Sequence, residues 1–187
     1  MFYFVRHGNT DYSEKDTKIY QGFGVNLAPL SPKGIQEIKA TARDERLKNA
    51  DLILCSPYTR AVQTAAILSR ELDLEIVIET DLHEWMADKN YNYAQDDEAD
   101  KSCREFEENG GQYPRGNERV WEEAGMMKKR VMAVLEKYCH YPKVIVVGHG
   151  MMIQATTGGH HPETGEIVEF DYAAAASLWR KKYNSHF

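Results

Sequence analysis

Two histidines in this sequence, His7 and His149, each stand beside glycine at the end of a short apolar run. The runs are FYFV at 2–5 and KVIVV at 143–147, and Arg6 directly precedes the first histidine. A neutral imidazole can attack phosphorus without the repulsion that an anionic nucleophile meets at a phosphate dianion. An arginine guanidinium binds phosphate oxygens through a planar, permanently charged set of N–H groups. These residues therefore favour nucleophilic chemistry on a phosphate monoester, with His7 as the nucleophile.

Two further apolar runs are followed by residues that suit the same chemistry. DLILCS at 51–56 precedes Arg60, a second cation for phosphate oxygens, and EIVIE at 75–79 precedes Glu84. Glu84 is the candidate general acid that protonates the leaving alkoxide, and it could then activate the water that cleaves a phosphohistidine. Asp81 lies closer to the strand and is the alternative acid.

Backbone groups near these runs also fit an anion site. The Ser56–Pro57 pair predicts a helix start, where free N–H groups and the positive end of the helix dipole favour phosphate. His149 would donate a hydrogen bond to a phosphate oxygen as charge shifts during transfer. Gly8 and Gly150 would allow close backbone approach in crowded turns. Each residue alone would more often be structural, but their joint position after four strands favours a site.

The elements that must bring these residues together alternate between strand-like and helix-like segments. The helices are predicted at 30–47, with Ser31 as N-cap and Pro32 in the first turn, and at 57–72. Such alternation predicts an α/β three-layer sandwich, in which helices flank both faces of a mostly parallel central sheet. Ligands bind such sheets beyond the carboxyl ends of the strands, where the residues above lie.

The segment from 85 to 125 interrupts this rhythm and is rich in Asp, Glu, Asn, Tyr and Gly. Two interpretations remain open: a solvated insertion, or a small cap over a site at the sheet edge. One amphipathic helix is predicted within it, because Ala99, Cys103 and Phe106 recur at helical spacing. If the segment is a cap, the candidates for substrate selection are Tyr91, Tyr93, Arg115 and Arg119.

The rest of the chain continues the same pattern. Residues 165–172 suit a closing edge strand, and the alanines at 173–176 followed by SLWRKK predict a helix. We find no repeat and no linker, so residues 1–187 are predicted to form a single domain that carries the insertion at about 85–125.

Composition excludes several classes of protein. The formal net charge of −6 argues against a general nucleic-acid or anionic-membrane binder. The cysteines, Cys55, Cys103 and Cys139, form no CxxC pair and indicate a reducing compartment rather than a disulfide framework. We find no signal-peptide pattern before the first strand, and no apolar run approaches the ~20 residues of a membrane span. We therefore expect a cytoplasmic protein.

Four motifs, in this order, resemble the histidine phosphatase superfamily in its phosphoglycerate-mutase-like branch. They are RHGNT at 6–10, SPYTRAVQTA at 56–65, LHEW at 82–85 and VVGHG at 146–150. The stretch QGFGVNLAPLSPKG, at 21–34, is similar to the one between that family's first strand and first helix. The resemblance spans nearly the whole chain.

This resemblance implies a role for each predicted site residue. His7 would be the phosphorylated nucleophile and Glu84 the proton donor, without a metal or other cofactor. The phosphate pocket would consist of Arg6, Arg60 and His149. We add to the predicted phosphate- and substrate-binding set Asn9, Ser13, Gln21 and Gly22.

The chain departs from the mutases of that family in two places. Mutases usually carry Glu directly after RHG and Asn a few residues later, where this chain has Asn9 and Ser13. The segment HEWMADKNYNY, at 83–93, does not resemble the longer substrate-binding segment of mutases. The sequence thus favours a phosphatase for a small phosphorylated metabolite over a phosphoglycerate mutase. A catalytically idle phospholigand-binding module is a third alternative, and the His7–Glu84 pair argues against it.

Motifs of other enzyme classes fail on spacing. Cys55 and Arg60 stand one residue too close for the C-x5-R loop of cysteine phosphatases. HEWMA at 83–87 lacks the second histidine of a zinc HExxH motif. The adjacent His160 and His161 lie in a Gly/Pro loop, and we expect them to be solvated rather than metal ligands.

Overall fold

The computed structural model describes residues 1–17, 24–92 and 94–183. Its strands are β1 (Phe2–Arg6), β2 (Leu52–Cys55), β3 (Ile76–Ile78), β4 (Val144–Gly148) and β5 (Ile167–Phe170). They form one sheet in the order β3-β2-β4-β1-β5. The first four strands are parallel, and β5 pairs antiparallel with β1 at the edge, which confirms the predicted closing strand.

The helices follow the strands in the alternation that the sequence predicts. They are α1 (Gly24–Leu27), α2 (Pro32–Thr41), α3 (Thr59–Leu72), α4 (Asp96–Glu108), α5 (Ala124–Tyr138), α6 (Gly150–Thr157) and α7 (Tyr172–Tyr183). Short 3-10 turns lie at Glu45–Leu47 and Thr80–Leu82. No helix in the described part of the chain is long and apolar enough to cross a membrane.

Alternate residues of the central strands pack on opposite faces of the sheet, and this builds the three layers. Phe4 and Val146 belong to a buried cluster completed by residues of α5 and α6. Their strand neighbours Val5 and Val147 belong to a second cluster completed by residues of α2 and α3. Both faces of the parallel strands are therefore covered, as apolar runs without polar alternation require. The predicted α/β three-layer fold is confirmed.

Two helix boundaries differ from the prediction. Helix α2 begins as expected, with the Ser31 hydroxyl accepting the N–H of Gly34 at 3.1 Å, but it ends at Thr41 rather than near residue 47. Helix α3 begins at Thr59, two residues after the expected start, with Tyr58 at its N-cap, and the N–H of Ser56 bonds to the Val147 carbonyl in the sheet. The Ser56–Pro57 pair is therefore not a helix start.

Helix α5 (Ala124–Tyr138) falls in a part of the chain where no element was predicted. Its buried side chains include Met127, Val131, Val134 and Leu135, which recur at helical spacing. The periodic signal for this helix is thus present in the sequence.

The segment that interrupts the alternation carries the expected amphipathic helix, α4. The Phe106 ring lies 5.7 Å from Trp85 and 5.5 Å from the fully buried Trp121, measured between ring centroids. Trp85 also donates its indole N–H to the Glu122 carbonyl at 2.8 Å. These contacts lie within the segment and hold α4 against Trp85, the residue directly after Glu84.

Candidate active site

His7 is buried at the end of β1, and its backbone N–H bonds to the carbonyl of Gly148 at 3.0 Å. This bond extends the β1–β4 pairing by one residue and brings the two strand ends together. The rings of His7 and His149 consequently lie 5.1 Å apart, centroid to centroid. The parallel pairing of β1 with β4 thus places both predicted histidines in one site.

The hydrogen bonds of His7 specify its tautomer. Nδ1 lies 2.8 Å from the carbonyl oxygen of Gly8, so Nδ1 carries the proton and donates it. Nε2 therefore keeps its lone pair, which accepts from Arg60 Nε at 3.1 Å. Burial, and next the charge of Arg60, lower the pKa of His7 to about 3, and the hydrogen bond to Gly8 only partly opposes them. At neutral pH His7 is thus an uncharged imidazole, and the lone pair of its Nε2 accepts the Arg60 Nε–H.

Arg60 is buried in the first turn of α3 and joins three elements. Besides its bond to His7, it donates through Nη1 to the Val25 carbonyl of α1 at 2.6 Å. One turn along the helix, the Thr64 hydroxyl donates to the Arg60 carbonyl at 2.9 Å and accepts the N–H of Gly8 at 3.3 Å. Thr64, which the sequence analysis did not single out, therefore fixes the end of β1 against α3.

His149 is fully buried at the N-cap of α6. Its Nε2 lies 2.7 Å from the hydroxyl of Ser56, at the end of β2, and its Nδ1 has no hydrogen-bond partner among the described residues. Burial, with smaller effects from Arg60 and His7, lowers the pKa of His149 well below its usual value. A neutral His149 that accepts from Ser56 at Nε2 carries its proton at Nδ1, as a donor available to an oxyanion. Ser56 thus acts as a side chain here, not through a helix start.

Arg6 lies beside the loop that precedes β5. Its Nη1 donates to the Pro162 carbonyl at 2.6 Å and lies 3.4 Å from Nδ1 of His161. Its Nε is buried and has no partner among the described residues. One N–H of this guanidinium is therefore uncommitted next to the end of β1, as an oxyanion ligand would require.

His161 is exposed as predicted, yet it belongs to the surroundings of the site. A Cβ on Gly150 would lie 2.2 Å from its Nε2, the outer end of this exposed side chain. A Cβ on Gly8 would likewise lie 2.6 Å from the Gly34 carbonyl oxygen. The predicted close backbone approach is confirmed at Gly8, whereas the neighbour of Gly150 is the His161 side chain. His160, also exposed, contacts Glu166 at 2.7 Å.

Glu84 faces the N-terminal turn of α6. Its Oε1 accepts from the N–H groups of Trp85 at 2.8 Å and Met152 at 3.1 Å. Its Oε2 accepts a single longer bond from Met151 at 3.4 Å. Both oxygens of Glu84 therefore accept backbone N–H groups, which orient its carboxyl group towards the start of α6. Because α6 begins directly after His149, these bonds also connect the carboxyl group to the second histidine.

A buried ion pair holds the backbone around Glu84. Arg130 of α5 binds Glu122 through two bonds of 2.6 and 3.0 Å, and Glu122 is only 2% exposed. The same guanidinium donates to the carbonyl of Asp81 and, at 3.3 Å, to that of Glu84. These two donations clamp the turn from which the Glu84 side chain projects. The sequence analysis missed both residues of the pair.

The alternative acid and two predicted binding residues point elsewhere. Asp81 is exposed. The Asn9 side-chain oxygen accepts from the Ser31 hydroxyl at 2.7 Å, so it supports the start of α2. Ser13 is exposed, and its N–H bonds to the Asp11 carboxylate at 2.9 Å. The structure therefore brings Glu84, rather than these residues, towards the histidines.

The predicted binding residues Gln21 and Gly22, and the cap candidate Tyr93, lie outside the described residues. Of the other cap candidates, Tyr91 is 70% exposed and its ring lies 5.8 Å from His83, between centroids. Arg119 pairs with Glu105 at 3.7 Å within the segment, and Arg115 is exposed. Only Tyr91 of these three lines the cleft described next.

A cleft of about 390 Å³ lies beside Glu84. Its walls include the rings of Tyr58, Trp85 and Tyr91, together with the loop after β1 and the start of α4. A larger groove, of about 570 Å³, lies by Met1 and Tyr172 and contains none of the predicted site residues. Glu84 lines the smaller cleft, and Tyr58 in its wall neighbours Arg60, so this cleft rather than the larger groove is the candidate substrate site.

Rival chemistries find little support in the same region. Burial raises the pKa of the Cys55 thiol to about 12, so this cysteine is protonated and poorly nucleophilic. In the described part of the chain, no three His, Cys, Asp or Glu side chains are grouped so that they could hold a metal ion.

Comparison with known proteins identifies the family of this chain. A family model described as "Histidine phosphatase superfamily (branch 1)" matches residues 2–181. The "Putative phosphoserine phosphatase 2" of Hydrogenobacter thermophilus is 32% identical over 160 residues, which are 82% of this chain and 74% of that protein. The "Uncharacterized phosphatase PhoE" of Bacillus subtilis is 30% identical over 154 residues, 81% of this chain and 72% of that protein.

Solved structures show the same fold. The native structure of a mycobacterial glucosyl-3-phosphoglycerate phosphatase superposes with a TM-score of 0.61 at 19% identity, covering 83% of this chain and 76% of that one. The family match over nearly the whole sequence, with two phosphatases among its relatives, settles the classification. This chain belongs to the histidine phosphatase superfamily.

Proposed function

We propose that this protein hydrolyses phosphate monoesters of small metabolites in two steps, by way of a phosphohistidine on His7. The observation that carries the proposal is the unprotonated Nε2 of a buried, neutral His7, set against the guanidinium of Arg60 at 3.1 Å. This arrangement pairs a nucleophile with a cation that attracts its substrate. Family membership supports the same reaction class.

In the first step the Nε2 lone pair forms a bond to phosphorus while the ester P–O bond breaks. The N–H groups of Arg60 and Arg6 and the Nδ1 proton of His149 bind the non-bridging oxygens. A bound phosphate would replace Nε2 as the acceptor of the Arg60 Nε–H, which frees the lone pair for attack. The positive charge that develops on the imidazole is stabilised by its Nδ1–H bond to Gly8.

The departing alkoxide takes the proton from Oε2 of Glu84. In the second step the resulting carboxylate removes a proton from water as the water oxygen attacks phosphorus. The N–P bond then breaks, and its electrons return to Nε2 of His7. Inorganic phosphate leaves, and Glu84 is again protonated. Each step balances with substrate and water alone, so we propose that no metal or other cofactor takes part.

The proposal includes a role for the segment at about 85–125. We propose that residues 1–187 act as one domain in which this segment forms a cap over the cleft. The lining of the cleft supports this, because it includes Trp85, Tyr91 and Asp96 of the segment, as does the position of Trp85 directly after Glu84. The cap would select the substrate, while the strand ends carry out the transfer.

Turnover assays separate this function from its alternatives. We expect steady release of inorganic phosphate from 4-nitrophenyl phosphate and from small alkyl phosphates. Conversion of 3-phosphoglycerate into its 2-isomer without phosphate release would indicate a mutase instead. Binding of phosphate esters without any turnover would indicate a phospholigand-binding module, and either result would overturn the proposal.

A further inference from the structure

The cleft beside Glu84 differs sharply in charge from the phosphate end of the site. Among the described residues that line it, the acids are Asp16, Glu84, Asp88 and Asp96, whereas the only cation is Lys15. Lys15 forms an ion pair with Asp96, so its charge is locally neutralised. The described lining therefore has a net negative charge even when Glu84 is protonated, and it lies next to Arg60, which contacts the Tyr58 ring.

Asp88 is held in place and charged. Its two oxygens accept from the Asn90 N–H at 2.8 Å and from the Asn92 side-chain amide at 3.0 Å. The bond from the Asn90 backbone, and next that from the Asn92 side chain, lower the pKa of Asp88. Asp88 is consequently a carboxylate at neutral pH, so its charge is a fixed feature of the cleft wall.

A buried histidine next to the cleft also requires a hydrogen-bond donor. His83 is 2% exposed, and its Nδ1 donates to the Glu84 carbonyl at 2.6 Å. Its Nε2 is therefore an acceptor, and this atom is buried without a partner among the described residues. The His83 ring lies 6.5 Å from Tyr58 and 5.8 Å from Tyr91, the two tyrosines that line the cleft.

The aromatic rings of the cleft, like its acids, favour a bound cation. Tyr58, Trp85 and Tyr91 all line the cleft, and aromatic faces attract ammonium groups. The two arginines named as candidates for substrate selection, Arg115 and Arg119, are not among the lining residues. Nothing in the described lining offers an unpaired cation to a carboxylate on the leaving group.

These observations extend the proposed function, on which they rest, to a class of substrate. We propose that the enzyme acts on the phosphate monoester of an amino alcohol, whose ammonium group lies in the cleft among Asp16, Asp88 and the aromatic rings. His83 would accept a hydrogen bond from the same end of the substrate. Esters whose leaving group carries a carboxylate are disfavoured by repulsion from the acids.

Three two-carbon esters of equal length test this directly: 2-aminoethyl phosphate, 2-hydroxyethyl phosphate and 2-phosphoglycolate. We expect kcat/KM to fall in that order. Two unit charges separate the first from the last, so the ratio of their kcat/KM values should be at least about tenfold in low salt and should decrease as salt is added.

Substitutions in the cleft should change this ratio, and because each enzyme is compared on the same two esters, intrinsic reactivity cancels. Asp88→Asn and Asp16→Asn should each reduce the preference for the amino ester roughly threefold. Asp96→Asn should reduce it further, because it also leaves Lys15 unpaired. Asp97→Asn is the matched control: Asp97 is the adjacent acid of α4 and does not line the cleft, so the ratio should stay at the wild-type value.

The outcomes of these assays test the substrate class separately from the proposed hydrolysis through His7. Wild-type enzyme that hydrolyses 4-nitrophenyl phosphate through His7 but prefers 2-phosphoglycolate, or shows no preference, overturns the inference alone. A preference for the amino ester that none of the three cleft variants alters also overturns it. Failure to hydrolyse any phosphate ester overturns both.

Discussion

The polar side chains around His7 are buried and hydrogen-bonded to one another, whereas the cleft beside Glu84 is lined largely by partly exposed acids and rings. His7, Arg60 and His149 are each 5% exposed or less, while Tyr91 is 70% exposed. A buried network fixes the tautomers and the direction of each donor, as phosphoryl transfer requires. An open, charged cleft wall can favour one substrate over another but does not fix the geometry of the reacting groups. The first region is suited to chemistry and the second to selection, and Glu84 lies where they meet.

Glu84→Gln tests this boundary with the largest expected effect. An alkyl alcohol leaves as a strongly basic alkoxide and needs a proton, whereas 4-nitrophenolate hardly needs one. We expect phosphorylation by an alkyl phosphate to slow by roughly 10²–10⁴-fold while phosphorylation by 4-nitrophenyl phosphate is spared. The measurement is single-turnover formation of the phosphoenzyme, because the same carboxylate also activates water in the second step.

Asp81→Asn is the control for that experiment, since Asp81 is exposed three residues away. It should leave both esters unaffected. Equal slowing of both esters in Glu84→Gln would make Glu84 a positioning residue. A leaving-group dependence that appears only in Asp81→Asn would assign the proton to the other carboxylate.

Arg130→Lys is expected to weaken the same step by a smaller amount, about tenfold for an alkyl phosphate. Lysine keeps the positive charge beside Glu122. Its single ammonium group cannot make both bonds to that carboxylate and also donate to the carbonyls of Asp81 and Glu84. A positioning role predicts the leaving-group dependence of Glu84→Gln in weaker form. Equal loss with both esters would instead indicate a structural role. Arg104→Lys, an exposed arginine of α4, is the matched control.

Acid should destabilise the fold through His7, because its pKa is about 3 in the folded state and about 6.5 when unfolded. Between these values the unfolded chain binds the extra proton, so the free energy of unfolding falls as pH decreases from 6.5 towards 3. From pH 7.5 to 5.5, wild-type protein should lose about 1.4 kcal/mol more than His7→Asn does. Urea unfolding at both pH values measures this. Identical losses would contradict the neutral, buried state of His7.

Chelation is the change from which we expect no effect. Excess EDTA should leave hydrolysis of 4-nitrophenyl phosphate unaltered, because each proposed step uses only side chains, substrate and water. Loss of activity that is restored by a divalent ion would require a metal mechanism and would contradict the proposed steps.

The buried end of the site could be predicted from sequence because strand order alone places its residues. His7, Arg60 and His149 follow apolar runs, and parallel strands present their carboxyl ends at one edge. The Ser56–Pro57 pair predicts a helix start, because Ser-Pro often occurs there. The role of the Ser56 side chain has no local signal, since its hydrogen bond to His149 spans 93 positions. The clamp by Arg130 and Glu122 has no local signal, because it reaches Glu84 across 46 positions through backbone carbonyls.

The cleft could be predicted least. Its acids come from the loop after β1 and from the segment at 85–125, and only the folded chain shows that Lys15 and Asp96 form a pair. The arginines of that segment are candidates for substrate selection by residue type alone. In the folded chain, however, Arg119 pairs with Glu105 rather than facing the cleft. Charge alone, without the fold, does not tell which side chains face a substrate.

The central claim is that His7 carries the phosphoryl group. The most direct test mixes the enzyme with an alkyl phosphate labelled in its phosphoryl group. The reaction is then quenched rapidly without acid, and the labelled peptide is identified. The account predicts an acid-labile, alkali-stable label on His7 that is absent in His7→Ala and retained in His140→Ala, a surface control. The same label on another residue, or full turnover by His7→Ala, would contradict the account.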